Sequence, residues 1–465
     1  MEEDRFYSSE EEILQAVQKF ELMRKNNERC FFDVIEFESI IDYYIESNNP
    51  AKAFEAADLA AEQHPNSISI KLLKAKALLD KGRAVEALSL LKKLESIETG
   101  NYELYIAKGT ALGMLGNING ALKMFDKALA VDSDEAEDIL CAITCVLQNL
   151  NFYRQMIPYM HQLVELAPGD CALLYDLAFA YEKIDDYENS IKYYLEYLEE
   201  DPFSDSAWYN LGVIYNKLDM YEKAMEAYDF AIAINPQNTF ALFNKGNILN
   251  DIERYHEAIE IYHECLENEP DSFEAMTYLA ECYEKTGDFA MSWKYYQEAL
   301  DFAPDCADTW FGLGILAMNS DNIEDSLLYF HKAVSLDDET PEYWHLMGQA
   351  HLKNGEIKVA LKYFCEALKL NAYCSEIWAD TGRVILNENL IGKAIPYLEK
   401  ASKVTGDIPG INYLLASLYL HAGLHGKAYR HFMLAVSADR DEFPEFEDLF
   451  PPYIMTAEMQ ELLAR

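Results

Sequence analysis

Small, bulky and helix-breaking residues recur along this chain at a fixed interval. From Asp205 it reads DSAWYNLGVIYNKLDMYEKAMEAYDFAIAINPQN. The same pattern stands 34 residues earlier as CALLYDLAFAYEKIDDYENSIKYYLEYLEEDPFS and 34 later as TFALFNKGNILNDIERYHEAIEIYHECLENEPDS. Extending the register both ways defines twelve repeats: 34–67, 68–101, 102–136, 137–170, 171–204, 205–238, 239–272, 273–306, 307–340, 341–374, 375–408 and 409–442. Only the third needs an extra residue, and together they cover 409 of 465 positions. A period of this length is the signature of stacked supersecondary units that bury their apolar faces against one another.

Each recurring position has a physical task. The eighth is Gly or Ala in ten repeats (Ala75, Gly109, Ala178, Gly212, Gly246, Ala280, Gly314, Gly348, Gly382, Ala416). A small residue there permits close helix approach, where a larger one would overpack. The twentieth is Ala or Ser in eleven repeats and the twenty-seventh is Ala in eight. The twenty-fourth is aromatic in eight (Phe125, Tyr194, Tyr228, Tyr262, Tyr296, Phe330, Phe364, Phe432), a large knob facing small holes. Position 32 is Pro in six repeats, ending a helix and turning the chain. Trp208, Trp310, Trp344 and Trp378 all stand at position four.

This spacing resembles the tetratricopeptide repeat (TPR) family, with its W-x₂-L-G-x₂-Y…A-x₃-F…A…P pattern. Residues 205–238 carry it as Trp208, Leu211, Gly212, Tyr215, Ala224, Tyr228, Ala231 and Pro236. The resemblance implies an all-α TPR α-solenoid. Helix A would occupy about positions 1–14 and an antiparallel helix B would follow a short turn. Stacked pairs would form a right-handed superhelix with helix A lining its concave face.

The expected organisation is an N-terminal capping helix within 1–33, regular repeats over 34–136, an irregular repeat at 137–170, regular repeats over 171–442 and a C-terminal cap over 443–465. In the irregular repeat Thr144 replaces the small eighth residue, Met156 replaces the twentieth Ala, and Pro158 falls where helix B should be established. A helix B that starts late would accommodate the Pro, and a bend between the flanking blocks is the alternative. Pro396 raises a milder version of the same question. Ser9 and Glu12 have capping-box spacing ahead of Ile13, Val17 and Phe20. At the other end, a short helix from about Thr456 would place Met459, Leu462 and Leu463 on one face. Such covers keep the outer faces of terminal repeats dry.

Charge narrows the partners. Lys+Arg 38 against Asp+Glu 81 gives −43, which argues against nucleic acid, whose phosphates need a basic footprint. With 50% hydrophobic residues, the chain is expected to be ordered. The N-terminus, MEEDRFYSSEEEILQAV, has neither a basic n-region with an apolar stretch nor an Arg-rich transit character. No apolar run approaches the roughly 18 residues of a membrane span. The nine Cys are scattered without a CxxC pair, as expected of thiols in a reducing cytoplasm.

Catalytic chemistry finds no purchase. Neither GxxxxGK[ST] nor a strand-linked GxGxxG occurs, and there is no GxSxG elbow. His256-Glu257 fails as HExxH because Glu260 stands where the second His is required and the next His is 263. His256, Glu260 and His263 share a helix face, as do Cys141 and Cys145, but solvated and packed roles account for both sets. No cofactor, metal or catalytic residue is expected.

A non-enzymatic scaffold for a protein or peptide is therefore the leading expectation; the alternative is an adaptor subunit of an enzyme complex whose activity lies in another chain. A clamp for acidic tails is disfavoured. Its counterpart positions Tyr209, Val213, Asn244, Glu274 and Tyr278 supply one Asn and no cation. In TPR proteins positions 2, 5, 9, 12 and 13 of helix A typically face the groove. Over 171–272 these positions, with Asn210 and Asn244 a turn away, nominate Tyr175, Phe179, Tyr209, Asn210, Asn216, Lys217, Phe240, Phe243, Asn244, Asn247 and Asn250 as a partner-binding surface. Aromatics would hold apolar side chains of a peptide while Asn amides pair with its backbone.

Overall fold

The turn between the two helices of each repeat is set by a backbone requirement. Position 15 has a left-handed φ, between 54° and 85°, in all eleven repeats where it is described: Gly82, Gly116, Asn151, Asp185, Asp219, Glu253, Gly287, Asp321, Gly355, Asn389 and Gly423. Glycine enters this region freely, and Asn and Asp tolerate it through local hydrogen bonding. The amide of position 16 then reaches back to the carbonyl of position 11, as in Arg83→Leu78 (2.8 Å), Arg254→Leu249 (2.8 Å) and Asp288→Tyr283 (2.8 Å). This is the six-to-one bond of a Schellman closure, which satisfies a terminal carbonyl of helix A.

The computed structural model describes residues 10–26, 29–47, 49–406, 408–450 and 455–464. Among them the chain is an all-α TPR solenoid of consecutive helix pairs, beginning with Val34–Glu46 and Pro50–Gln63 and ending with Pro409–His421 and His425–Ala438. Helix B begins at position 17 in every repeat. The polar residue at position 34 caps the next helix A: Ser204, Asn238 and Ser272 accept from the amides of Ala207, Ala241 and Ala275. Each Trp at position four donates its indole N–H to the carbonyl six residues back, Trp208 to Pro202 (3.1 Å), Trp310 to Pro304 (2.9 Å), Trp344 to Asp338 (2.9 Å) and Trp378 to Ala372 (2.8 Å). The link between repeats is thus pinned by a side chain from the helix it leads into.

The knob and hole of one repeat meet each other. A Cβ placed on Gly246 would lie 2.6 Å from the Tyr262 ring, one on Gly314 2.5 Å from Phe330, and one on Gly348 2.6 Å from Phe364. These aromatics are fully buried. Position eight is small because position 24 occupies its side-chain space.

The chain divides into two compact bodies, Met1–Leu218 and Asp219–Arg465. In the first, helix Glu10–Asn26 lays Val17 and Phe20 into a cluster with Phe37, Ile40 and Ala57. Ser9 lies outside the described residues. The repeat at 137–170 corrects one expectation: its helix B, Tyr153–Leu166, starts on register and contains Pro158 as its sixth residue. Met156, Met160 and Leu163 bury this helix in a cluster running from Tyr105 to Ala180, and that packing carries the Pro. Pro396 stands at the same place in helix Ile391–Thr405. Thr144 is buried and its hydroxyl donates to the Cys141 carbonyl at 3.0 Å.

In the second body the last repeat is covered by residues beyond 442. Phe446, Leu449, Phe450 and Met459 are buried with Trp378, Leu414 and Phe432. Arg383 holds this cover from below, donating to Asp448 at 2.8 and 3.1 Å and to the Glu445 carbonyl at 2.9 Å.

Candidate functional site

The nominated surface is divided between the two bodies. In Met1–Leu218 helices Ala172–Glu182 and Asp205–Lys217 carry Tyr175, Phe179, Tyr209, Asn210, Asn216 and Lys217. Tyr175 is half-buried, edge-on to Tyr194 and Tyr197 with ring centroids 5.4 Å away in each case. Asn210 Nδ2 donates to the hydroxyls of Tyr175 (2.9 Å) and Tyr194 (3.1 Å), so its amide ties two repeats together. Phe179 packs edge-on against Tyr153 at 6.0 Å and lies under the Lys183 ammonium, 4.5 Å from its centroid. Lys217 is exposed and donates at 3.4 Å to Glu182, a carboxylate only 8% exposed. Tyr209 and Asn216 are half-buried.

In Asp219–Arg465 helix Thr239–Asp251 carries Phe240, Phe243, Asn244, Asn247 and Asn250. Phe240 is exposed, while Phe243 is half-buried against Tyr278 (5.6 Å) and Tyr262 (6.2 Å). Asn244 is half-buried. Asn247 Oδ1 accepts from the Tyr262 hydroxyl at 2.7 Å, and Asn250 Oδ1 accepts from Cys282 Sγ at 3.3 Å. Both amides are engaged within the fold.

Helices A of three successive repeats, Thr239–Asp251, Phe273–Thr286 and Ala307–Asn319, border a cavity of about 500 Å³. Phe243 is the one nominated residue that lines it. Its remaining walls, including Thr277, Tyr278, Glu281, Glu284, Asp308 and Phe311, come from the two repeats beyond the nominated stretch. They largely obey the same rule of positions 2, 5, 9 and 12, so carrying that rule past residue 272 would have found them. Gly312 is different: no other repeat has Gly at position six. A Cβ there would lie 2.4 Å from the ring and hydroxyl of Tyr296, so glycine is what lets that side chain reach the floor of the cavity.

The cavity is acidic as well as aromatic. Glu274, Glu281, Glu284 and Asp308 line it against one cation, Lys285. Burial raises the Glu281 carboxyl above the usual range, with Asp251 and Asp308 adding repulsion. Burial pushes Glu284 up to about 7, although Lys285 and a 2.8 Å bond from Asn319 Nδ2 oppose it. Elsewhere, His263 pairs its Nε2 with the Tyr283 hydroxyl at 2.9 Å. No group of three metal-ligating side chains and no membrane-length apolar helix occurs among the described residues.

Tetratricopeptide repeat family models match residues 172–204, 206–238, 243–305 and 341–374. No curated protein matches the sequence. Among solved structures, the chain is similar to MamA 41-end from Desulfovibrio magneticus RS-1, at 21% identity over 37% of this chain and 97% of that one, with TM-score 0.35. It is also similar to YrrB, a TPR protein described as having an unusual peptide-binding site, at 19% identity over 40% and 96% with TM-score 0.36. The APC/C hetero-tetramer Cut9–Hcn1 matches at 13% over 87% and 93%, with TM-score 0.42. These likenesses concern the fold alone. From the four matched segments and the recurring knob, hole and elbow of its helix pairs, the chain is a tetratricopeptide repeat protein.

Proposed function

We propose that this protein is a non-catalytic scaffold that binds an extended segment of a partner protein along its A helices. The observation that carries this reading is the cavity between the A helices of repeats 239–272, 273–306 and 307–340, walled by Phe243, Tyr278 and Phe311. Tyr278 is 37% exposed, so its ring has apolar surface left for a ligand. Concave, aromatic-lined space of this size with a few polar groups is what a bound side chain needs. Phe240 and Asn244 stand on the same helix, Phe240 one turn toward its N-terminus and Asn244 directly after Phe243, and extend the contact. In the first body, Tyr175 and Asn210 support the surface by holding neighbouring repeats together, while Phe179, Tyr209, Asn216 and Lys217 remain candidate contacts.

The test is selection of random 12-residue peptides on the full chain, followed by affinity measurement with Phe243→Ala and Phe311→Ala. A loss of about tenfold or more in either variant, with unchanged circular dichroism, is expected for an aromatic anchor. Peptides indifferent to both substitutions but released by neutralising exposed acids of the B helices would move binding to the opposite face.

A further inference from the structure

We propose that the cavity between helices Thr239–Asp251, Phe273–Thr286 and Ala307–Asn319 is a pocket for one arginine side chain of the bound segment. The inference rests on the scaffold reading and specifies what its central pocket takes. Four carboxylates face the space, Glu274, Glu281, Glu284 and Asp308, and Lys285 alone opposes them. That balance selects a cation. A second observation, independent of the acids, lies at the floor. Tyr296 is 2% exposed, it lines the cavity, and its hydroxyl stands where a Cβ on Gly312 would be. Among the described residues this hydroxyl makes no hydrogen bond. The rest of the side chain is buried, so this oxygen meets only what enters the cavity, where an incoming donor can pair with it.

Guanidinium fits this set better than ammonium does. It presents five N–H donors in a plane and no acceptor, and the cavity offers carboxylate and phenol oxygens that accept. The rings of Tyr278 and Phe311 both line the cavity and suit contact with a flat, weakly hydrated cation. Two of the acids are held ready by neighbours. Asn319 Nδ2 fixes Glu284 Oε1 at 2.8 Å, and the Tyr343 hydroxyl donates to Asp308. Glu284 is 8% exposed, so an incoming cation meets a carboxylate shielded from water, where a charge-assisted bond is strongest. Gly312 is what admits the Tyr296 hydroxyl to the floor, since a Cβ at that position would lie 2.4 Å from it and displace the ring.

The experiment uses the peptides selected on the full chain, labelled with fluorescein and measured by anisotropy. Each is resynthesised with its arginine changed to lysine and to citrulline, the latter keeping the shape and removing the charge. Citrulline is expected to weaken binding about tenfold or more, and lysine less, as for loss of a charge-assisted bond. The ratio between arginine and citrulline peptides should collapse toward one in Glu281→Gln/Glu284→Gln, and stay unchanged in Glu267→Gln, which removes the same kind of charge from an exposed site. Gln at 284 can still accept from Asn319, so the fold keeps that bond. Peptides that lack arginine yet depend on Phe243 would overturn the arginine pocket and leave the scaffold standing. Arginine peptides whose preference survives the double substitution would also overturn it. Failure of two independent selections to yield any binder would overturn both proposals together.

Discussion

Replacing Gly246 by Ala isolates the packing that defines the repeat. The new methyl carbon would sit 2.6 Å from Tyr262 Cε1 and 2.9 Å from Cδ1 and Cζ, whereas carbon atoms are comfortable at about 3.5–4.0 Å. The ring would have to retreat by roughly 1 Å to restore that contact. It has nowhere to go. Tyr262 is fully buried, its face lies against Tyr278 at 6.3 Å, and its hydroxyl is bonded to Asn247 at 2.7 Å. Overpacking of this kind costs about 1–3 kcal/mol. Alanine also returns up to about 1 kcal/mol of helix propensity, so the net loss is smaller. Gly426 supplies the control. It lies in helix His425–Ala438, exposed, with nothing within 4 Å of its would-be Cβ. Gly426→Ala should therefore stabilise by about 0.4–1 kcal/mol, and the difference between the two variants reads the overpacking directly. Urea unfolding followed by circular dichroism gives both values. Hydrogen exchange should place the loosening caused by Gly246→Ala in repeats 239–272 and 273–306. Equal stabilisation by both substitutions would refute the account of knob and hole.

The elbow gives a second pair: Glu253→Gly should raise stability by about 1 kcal/mol and Gly287→Ala lower it by a similar amount, since both positions have left-handed φ. At position 20, Ser190 donates to the Ala178 carbonyl at 2.7 Å, whereas buried Ser292 and Ser326 have no partner among the described residues. Ser190→Ala should cost about 1 kcal/mol in urea midpoint analysis, and Ser292→Ala and Ser326→Ala should be neutral or stabilising. Pro158→Ala restores an interior helix N–H and should raise the thermal midpoint, by up to about 3 kcal/mol in stability. Glu284 sets a pH dependence. Its carboxyl titrates near 7 folded against 4.5 unfolded, so between those values the native state keeps a proton the unfolded chain has lost. Its contribution is full below about pH 4.5 and disappears as pH rises through 7, a change of up to about 3 kcal/mol that Glu284→Gln should remove from the stability profile.

The fold was readable because its repeated contacts are made between residue sizes. Gly246 and Tyr262, or Gly348 and Phe364, announce themselves as small and large at fixed spacing. The elbow went unread for the opposite reason. Gly82, Asp185, Asn151 and Glu253 share a backbone conformation and no side-chain property. Pro158 misled because a proline's local cost was set against no knowledge of the packing around Met156 and Leu163. In the candidate site, helical spacing nominated a face but could not show the bonds made across it. Asn210 and Asn247 look like free amides in one dimension, and only the neighbouring Tyr175, Tyr194 and Tyr262 reveal that their capacity is used. Gly312 gave no sign of its role, because only the fold puts Tyr296 of the preceding repeat in its side-chain space.

The fixed elbow also decides where such a protein can gain or lose residues over generations. From helix A to helix B every repeat spans the same count, because the left-handed residue and the bond from position 16 to position 11 leave no slack. An insertion there would rotate helix B and turn its position-24 knob away from the hole. The one repeat with an extra residue, 102–136, carries it at its very end, where Ala136 becomes the added first residue of the next helix A, Ala136–Asn149, fourteen residues against thirteen in Asp205–Lys217. Length variation is confined to the joints between repeats, where links are tolerant, while the corner inside each repeat is inherited whole. Duplication, deletion or grafting of segments should succeed when cut at position 34 and fail when cut at position 15.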